Sequence, residues 1–247
     1  MVKIGCCGFV KSMARYFRTF TLVEIQQTFY RLPRLETVQG WREKAPRDFE
    51  FTLKAWQGIT HPATSPTYRK AKLDIPEHKK AGYGHFQPTE EVWEAWENTA
   101  AVAEALQATV IVFQCPPGFK QTGEHLEHLH RFFRRVGAVP FKLALELRSG
   151  WDSEVITDLC SRYNLIHCVD PFAQKPLAGS VAYFRLHGSP PGKRMYRYSY
   201  TEEDFRYLAQ VIQDQRAAGR PTYCLFNNME MWNDALRFLQ FLQQLKA

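Results

Sequence analysis

Thr109-Val110-Ile111-Val112-Phe113 is the stretch that decides the predicted fold, because it is β-branched and apolar almost without interruption. A strand with one face in water alternates apolar and polar residues, whereas a parallel strand covered by helices on both faces is apolar throughout. This stretch therefore indicates a buried parallel strand. Seven further runs have a similar character, so strands are predicted at Lys3–Gly8, Thr21–Gln26, Asp48–Trp56, Thr109–Gln114, Lys142–Arg148, Leu165–Asp170, Val181–His187 and Thr222–Asn227.

Segments with helical periodicity separate most of these strands. After Thr89, a predicted N-cap, the residues Val92, Trp96 and Ala103 recur on one helical face. Helices after the first, second and sixth strands are less clearly indicated. Alternating strands and helices form βαβ units, and eight of them in 247 residues match the length of a closed α/β barrel. The sequence therefore predicts one domain over residues 1–247, a single (β/α)8 TIM-type barrel.

One long segment, residues 61–87, interrupts the repeating pattern. It is rich in proline and charge and shows no clear period. We interpret it as an insertion after the third strand, on the side of the barrel where the strands end. Long loops of this kind usually carry function or move.

Composition restricts the classes of protein to consider. No run approaches the roughly 18 consecutive apolar residues of a membrane-spanning helix, and the N-terminus enters a strand without a secretory pattern. We therefore expect a cytoplasmic protein that does not bind membranes. The net charge of +7 favours anionic partners, either nucleic acid or an anionic small molecule. The six cysteines form no CxxC pair, so neither a disulfide framework nor a structural zinc site is expected.

Polar residues at the predicted strand ends are the main functional signal. In a (β/α)8 barrel the catalytic groups come from the carboxyl ends of several strands. Because strand residues two apart share a face, the pairs at the ends of strands two, five and seven are expected to point the same way. Buried charge must be paired or bind a ligand. A set of purely structural ion pairs is the alternative. The strand-end residues are Glu24, Gln26, Lys54, Gln114, Glu146, Arg148, Asp170, Arg185, His187, Asn227 and Asn228.

Each of these residues has a predicted role. Glu24 or Glu146 is a candidate general base, and His187 or Lys54 a candidate general acid. Arg148, Arg185 and Asn228 are candidates for orienting an anion. His61, just past the third strand, and Tyr196, in a basic Gly/Pro-rich loop over residues 188–198, are candidate substrate-binding residues. The remaining candidates for substrate binding are Gln26, Gln114, Asp170 and Asn227.

A divalent metal is one option at the same place. Glu146, Asp170 and His187 have the chemistry of metal ligands. The neighbouring Arg148 and Arg185 would compete for the carboxylates, so no cofactor is firmly predicted.

These residues belong to motifs that resemble the YecE-like proteins, domain-of-unknown-function family 72. The matching motifs are Val23-Glu24-Ile25-Gln26-Gln27-Thr28-Phe29-Tyr30, Phe49-Glu50-Phe51-Thr52-Leu53-Lys54, Thr60-His61, Gln114-Cys115-Pro116-Pro117, Glu146-Leu147-Arg148, Arg185-Leu186-His187-Gly188 and Phe226-Asn227-Asn228. The resemblance implies a TIM-type barrel and no settled activity. The first loop, Gly5-Cys6-Cys7-Gly8-Phe9, departs from the family pattern, as does Gln26, so the chain is similar to a divergent member.

Three functions are compatible with the sequence. The first is an enzyme, a hydrolase or lyase, that acts on an anionic, phosphate-bearing substrate at the carboxyl end of the barrel. The second is a non-catalytic nucleic-acid-binding protein that uses basic residues of the insertion and of the loop after strand seven. The third is a glycoside-type hydrolase with Glu24 and Glu146 as paired carboxylates. Nucleotide-triphosphate hydrolysis, Rossmann cofactor binding and serine-hydrolase chemistry are disfavoured, because no Walker A, GxGxxG or GxSxG motif is present.

Overall fold

Eight parallel strands form one closed barrel, in chain order, in the computed structural model, which describes residues 1–189, 192 and 194–245. The barrel closes where β8 pairs with β1, from Val2 opposite Thr222 to Cys6 opposite Phe226. This confirms the predicted (β/α)8 TIM-type barrel. Every predicted strand overlaps an observed one: β1 (Val2–Cys6), β2 (Leu22–Ile25), β3 (Glu50–Lys54), β4 (Val110–Gln114), β5 (Lys142–Glu146), β6 (Leu165–Val169), β7 (Ala182–Leu186) and β8 (Thr222–Phe226).

Helices surround the barrel at every connection except one. The described connection between β6 and β7 contains no helix, since Pro171, Pro176 and Gly179 interrupt any helical run there. The helices are α1 (Met13–Thr19), α2 (Gln27–Tyr30), α3 (Leu35–Lys44), α4 (Gln57–Thr60), α5 (Pro66–Lys70), α6 (Glu90–Leu106), α7 (Gly123–Val136), α8 (Ser153–Tyr163), α9 (Glu202–Ala217) and α10 (Met231–Gln244), with short 3-10 helices at Glu77–Gly82 and Met195–Arg197. Thr89 is the N-cap of α6, as predicted. Among the described residues, no helix has the length and apolar character needed to cross a membrane.

The interior of the barrel changes character along its axis. Its middle is apolar and is formed by alternate strand residues, such as Leu22 of β2 and Val112 of β4. The next inward position of several strands carries a polar or charged residue. These residues are Glu24, Lys54, Gln114, Glu146 and Arg185, all at most 7% exposed. The apolar residues therefore form a floor, and the charged residues stand on it at the carboxyl end of the strands, which we call the barrel mouth.

The predicted insertion leaves the barrel after β3 and packs back beside it. Its chain returns at residues 84–86, where the backbone amides of Gly84, His85 and Phe86 donate to the carbonyls of α4. Phe86 is completely buried. The insertion is therefore tied to the segment that carries His61.

Candidate active site

Arg185 is the centre of the barrel mouth. It is 1% exposed and forms ion pairs with Glu24 of β2 and Glu146 of β5. Its Nη2 lies 3.0 Å from Glu24 Oε1, and its Nη1 donates to Glu146 Oε2. Glu24 also accepts a hydrogen bond from the Tyr183 hydroxyl at 2.8 Å. One guanidinium thus joins strands on opposite sides of the barrel.

The neighbouring charges determine the protonation states of Glu146 and Arg185. Burial would raise the pKa of Glu146, but the charges of Arg185 and Arg148 outweigh it and hold that pKa well below the usual range. Burial would lower the pKa of Arg185, but Glu146 and Glu24 raise it well above its ordinary value. Glu146 is therefore ionised at neutral pH and is a weak base.

A second chain of contacts continues from Glu146 towards solvent. Arg148 Nε donates to Glu146 Oε1 at 2.7 Å, and Arg148 Nη2 lies 3.1 Å from His187 Nε2. His187 Nδ1 lies 3.2 Å from Asp170 Oδ2. The same Asp170 oxygen accepts the backbone amide of His187 at 2.9 Å. The network therefore extends from a fully buried carboxylate to the half-buried Arg148 and Asp170.

The network assigns a tautomer to His187. A guanidinium can only donate, so His187 Nε2 must accept from Arg148. The ring proton then lies on Nδ1 and faces Asp170. In this arrangement His187 orients Arg148, and Nε2 has no proton to give to a substrate.

Lys54 stands beside this network without joining it. It is 6% exposed, and within the described part of the chain its ammonium group forms no ion pair and no hydrogen bond. Its Nζ lies 3.5 Å from the centre of the Phe29 ring. The ring face favours the charged form. Burial and then the charge of Arg185 lower the pKa of Lys54 well below that of an exposed lysine, although the charges of Glu146 and Glu24 act in the opposite direction.

His61 lines the same part of the barrel mouth. Its ring packs edge-on against Phe29, with centroids 4.9 Å apart, and its Nδ1 lies 2.7 Å from the Thr60 hydroxyl. Burial, followed by the charges on Lys54 and Arg148, lowers the pKa of His61 to about 3. The imidazole is therefore neutral at physiological pH.

Of the other predicted site residues, two contact the network and two lie at inward strand positions outside it. Gln26 bonds Glu24 and Arg185 at the rim of the network, and Tyr196 lies edge-on to His187 with ring centroids 5.8 Å apart. Gln114 shares the inward phase of β4 and donates to the backbone carbonyl of Cys115. Asn227 follows the inward phase of β8 and is half-buried.

Asn228 is placed differently from the predicted anion-orienting group. Asn228 comes one residue after the inward position of Asn227, so its side chain points away from the barrel axis. Its side-chain amide donates to Asp234 Oδ2 at 2.7 Å and to the Tyr198 carbonyl at 2.8 Å. It anchors the loop before α9 onto α10. Part of the basic loop cannot be compared with the prediction, because Pro190, Pro191 and Lys193 lie outside the described residues.

Three contributors were not identified from the sequence: Tyr183, Thr52 and Phe29. Tyr183 bonds Glu24 and, at 2.7 Å, the hydroxyl of Thr52. The signal for Tyr183 is its spacing of two residues from Arg185, which puts both on the inward face of β7. Phe29 lies in the short helix α2, and nothing in the sequence pairs it with Lys54.

The residues considered for a divalent metal do not form a metal site. Arg148 occupies the space between Glu146 and His187 and bonds both. In the described residues no three His, Cys, Asp or Glu side chains are grouped to hold a metal ion. Glu146 and His187 are therefore already bonded to guanidinium groups, and Asp170 is bonded to His187.

Comparison with known proteins identifies the family but assigns no reaction. UPF0759 protein YunF of Bacillus subtilis (strain 168) is 21% identical over 248 residues, covering 88% of this chain and 80% of YunF. The crystal structure of a DUF72 family protein from Enterococcus faecalis V583 superposes with a TM-score of 0.74 at 19% identity, over 98% of each chain.

Endonuclease IV from Thermus thermophilus shares the fold alone, with a TM-score of 0.55 at 15% identity over 98% of each chain. The family described as "Protein of unknown function DUF72" matches residues 10–247. The match extends over nearly the whole sequence, so this chain belongs to the DUF72 family.

Proposed function

We propose that this protein is an enzyme acting on an anionic, phosphate-bearing substrate at the barrel mouth, with Lys54 as reacting group and Arg148 as anion-binding group. One observation carries the proposal. Among the described charged residues of the barrel mouth, Glu24 and Glu146 pair with guanidiniums and Asp170 pairs with His187, whereas Lys54 has no acidic partner. A buried lysine beside cations is destabilised in its charged form, which makes its amine available as a base or nucleophile.

Arg148 supports the anion-binding half of the proposal. Its side chain is 25% exposed, and the Nε–Nη2 edge of its guanidinium is held by Glu146 and His187. In the described residues no protein acceptor bonds its Nη1. A guanidinium held in this way can bind phosphate oxygens with little loss of entropy.

The geometry supports proton removal or nucleophilic attack by Lys54 better than acid catalysis. Burial and the charge of Arg185 lower the pKa of Lys54, which favours the role of base or nucleophile over the predicted role of general acid. Glu24 and Glu146 share one guanidinium, and Glu146 has a lowered pKa. A glycoside hydrolase needs one carboxyl group with a raised pKa, so the paired-carboxylate alternative is the least supported.

The proposal predicts a loss of turnover when Lys54 is replaced. The wild-type protein is incubated with a panel of phosphomonoesters, phosphodiesters and sugar phosphates, and products are followed by mass spectrometry and phosphate release. We expect turnover of at least one compound and a loss of about 100-fold or more in Lys54→Met, the range for a positioned proton-transfer group. Arg148→Gln is expected to raise KM more than it lowers kcat.

The matched control is Lys142→Met, because Lys142 is exposed at the start of β5, on the opposite end of the barrel. It should keep wild-type activity. If Lys54→Met and Lys142→Met turn over the same substrate at the wild-type rate, Lys54 is not the reacting group and the proposal fails.

A further inference from the structure

Lys54 has a combination of surroundings that suits one kind of covalent chemistry. Its amine is desolvated, lies on the face of Phe29, and is close to the charges of Arg185 and Arg148. Lysines that form Schiff bases with carbonyl compounds are activated in the same way, by an apolar pocket or by a neighbouring cation. A carboxylate could act equally well as an ordinary base, but Glu24 and Glu146 are both paired with the Arg185 guanidinium.

Lys54 and Arg148 lie at different depths within the barrel mouth. Lys54 is 6% exposed, whereas the Arg148 side chain is 25% exposed and lies nearer to solvent. A substrate held by both residues needs its electrophilic carbon at the deep end and its anionic group at the outer end. Phe29 and His61, both uncharged, line the deep end.

We propose that the substrate is a phosphate-bearing aldehyde or ketone and that Lys54 forms an imine with its carbonyl carbon. This inference rests on the proposed function, since it assigns the same reacting and anion-binding residues. The lone pair of Lys54 Nζ attacks the carbonyl carbon, and the C=O π electrons move to oxygen. Both amine protons leave with that oxygen as water, and a C=N bond to Nζ remains.

The imine explains why the enzyme would bury a lysine without an acidic partner. Protonated at nitrogen, an imine withdraws electrons from the neighbouring carbon and weakens a C–H or C–C bond on it. Glu146 and Glu24 are the neighbouring charges that favour this protonated form, in opposition to burial and Arg185. The reaction class is then a lyase or an isomerase of carbonyl compounds.

The probe for this inference is pyridoxal 5'-phosphate, a phosphate-bearing aldehyde. The folded protein is mixed with a limiting amount of probe at neutral pH, and sodium borohydride transfers hydride to the C=N carbon and traps the adduct as a secondary amine. Peptide mass spectrometry then locates the label. We expect Lys54 to be labelled at least about 10-fold faster than any exposed lysine, because exposed lysines are almost wholly protonated at this pH.

Six comparisons separate the inference from the proposed function. Lys54→Met and Lys54→Arg should lose the label, and Lys142→Met should keep it. Arg148→Gln, inorganic phosphate as competitor, and pyridoxal without its phosphate should each slow labelling about 10-fold. Circular dichroism of each variant establishes that it is folded.

The outcomes have distinct meanings. Probe that binds in competition with inorganic phosphate and depends on Arg148, but forms no adduct at Lys54, overturns the imine and leaves the anion site intact. Labelling spread evenly over exposed lysines, insensitive to phosphate and unchanged in Lys54→Met, overturns both the imine and the proposed function.

Discussion

Arg185 determines the charge state of the barrel mouth, although it is almost inaccessible to solvent. Burying a guanidinium together with two carboxylates removes three charges from water, and apolar residues of similar volume often stabilise a core as well or better. Stability alone therefore gives no reason for the group. The effect of Arg185 on its neighbours gives a reason, because Arg185 keeps Glu146 ionised and disfavours the charged form of Lys54.

Replacing Glu146 tests this assignment. Glu146→Gln leaves Arg185 with one carboxylate and removes the charge from the partner of Arg148. We expect the free energy of unfolding to fall by about 3 to 5 kcal/mol at pH 7, as for other broken buried ion pairs. Urea denaturation measures this change.

The effect of Glu146→Gln should depend on pH with a definite sign. The folded pKa of Glu146 lies below its unfolded value, so its contribution is complete above the unfolded pKa of about 4.3 and is lost as the pH falls towards the folded one. The stability difference between the variant and the wild type should therefore shrink below about pH 4. Glu202→Gln, at an exposed helical ion pair with Arg206, should change stability little at any pH. A constant difference down to the lowest pH at which both proteins fold would contradict the assignment.

At the scale of elements, the end of the insertion is held against the segment that follows β3 by close backbone contact. Gly84 adopts a φ of 91° where the returning insertion meets the backbone of His61 and Pro62. A Cβ at this position would overlap the carbonyl carbon of His61 and the nitrogen of Pro62. The close approach fixes the backbone that positions the His61 ring over Phe29.

Gly84→Ala should therefore loosen the insertion. We expect a loss of about 2 kcal/mol or more, from backbone strain and from the overlap, because the atoms it meets are backbone and cannot rotate away. Denaturant unfolding measures the loss, and faster amide hydrogen exchange at residues 84–86 localises it. Gly118→Ala is the control, since nothing lies within 4 Å of a Cβ there, and it should be close to neutral. Equal behaviour of the two variants would show that the insertion is held by other contacts.

The same scale shows what the sequence could and could not predict. Apolar strand runs and the two-residue period were sufficient for the barrel and for the convergence of Glu24, Glu146, Arg148 and Arg185, because phase along a strand is a local property. Asn228 was assigned to the site from its position next to Asn227, yet a shift of one residue turns its side chain to the other face. Pairing across the barrel, such as Tyr183 with Glu24, depends on side-chain conformations of residues distant in sequence.

At the scale of the whole molecule, the net charge of +7 leaves two classes of anion to distinguish. Part of the positive charge lies on the exposed residues Arg69, Lys70, Lys72 and Lys80 of the insertion, which take no part in the ion pairs described at the barrel mouth. Such residues attract any anion over long range. Binding a small substrate needs only the groups at the barrel mouth, whereas binding nucleic acid needs many phosphate contacts on the outer surface.

Salt dependence distinguishes these two classes. A protein that neutralises several phosphates of duplex DNA loses affinity with a log–log slope of about −0.9 per contact, so six contacts give about −5. Pyridoxal 5'-phosphate has no condensed counterions to release, so its binding at Arg148 should show a much shallower slope, measured by fluorescence titration at several salt concentrations.

Removing the surface charge provides the decisive comparison. The combined variant Arg69→Gln, Lys70→Gln, Lys72→Gln and Lys80→Gln should weaken duplex DNA binding, measured by anisotropy, while leaving the affinity for pyridoxal 5'-phosphate within about twofold at physiological ionic strength. Screening reduces the influence of these charges beyond about 8 Å, whereas Arg148 contacts its ligand directly. Tight DNA binding with a steep slope, unaffected by Arg148→Gln and abolished in the combined variant, would instead favour the non-catalytic nucleic-acid-binding alternative.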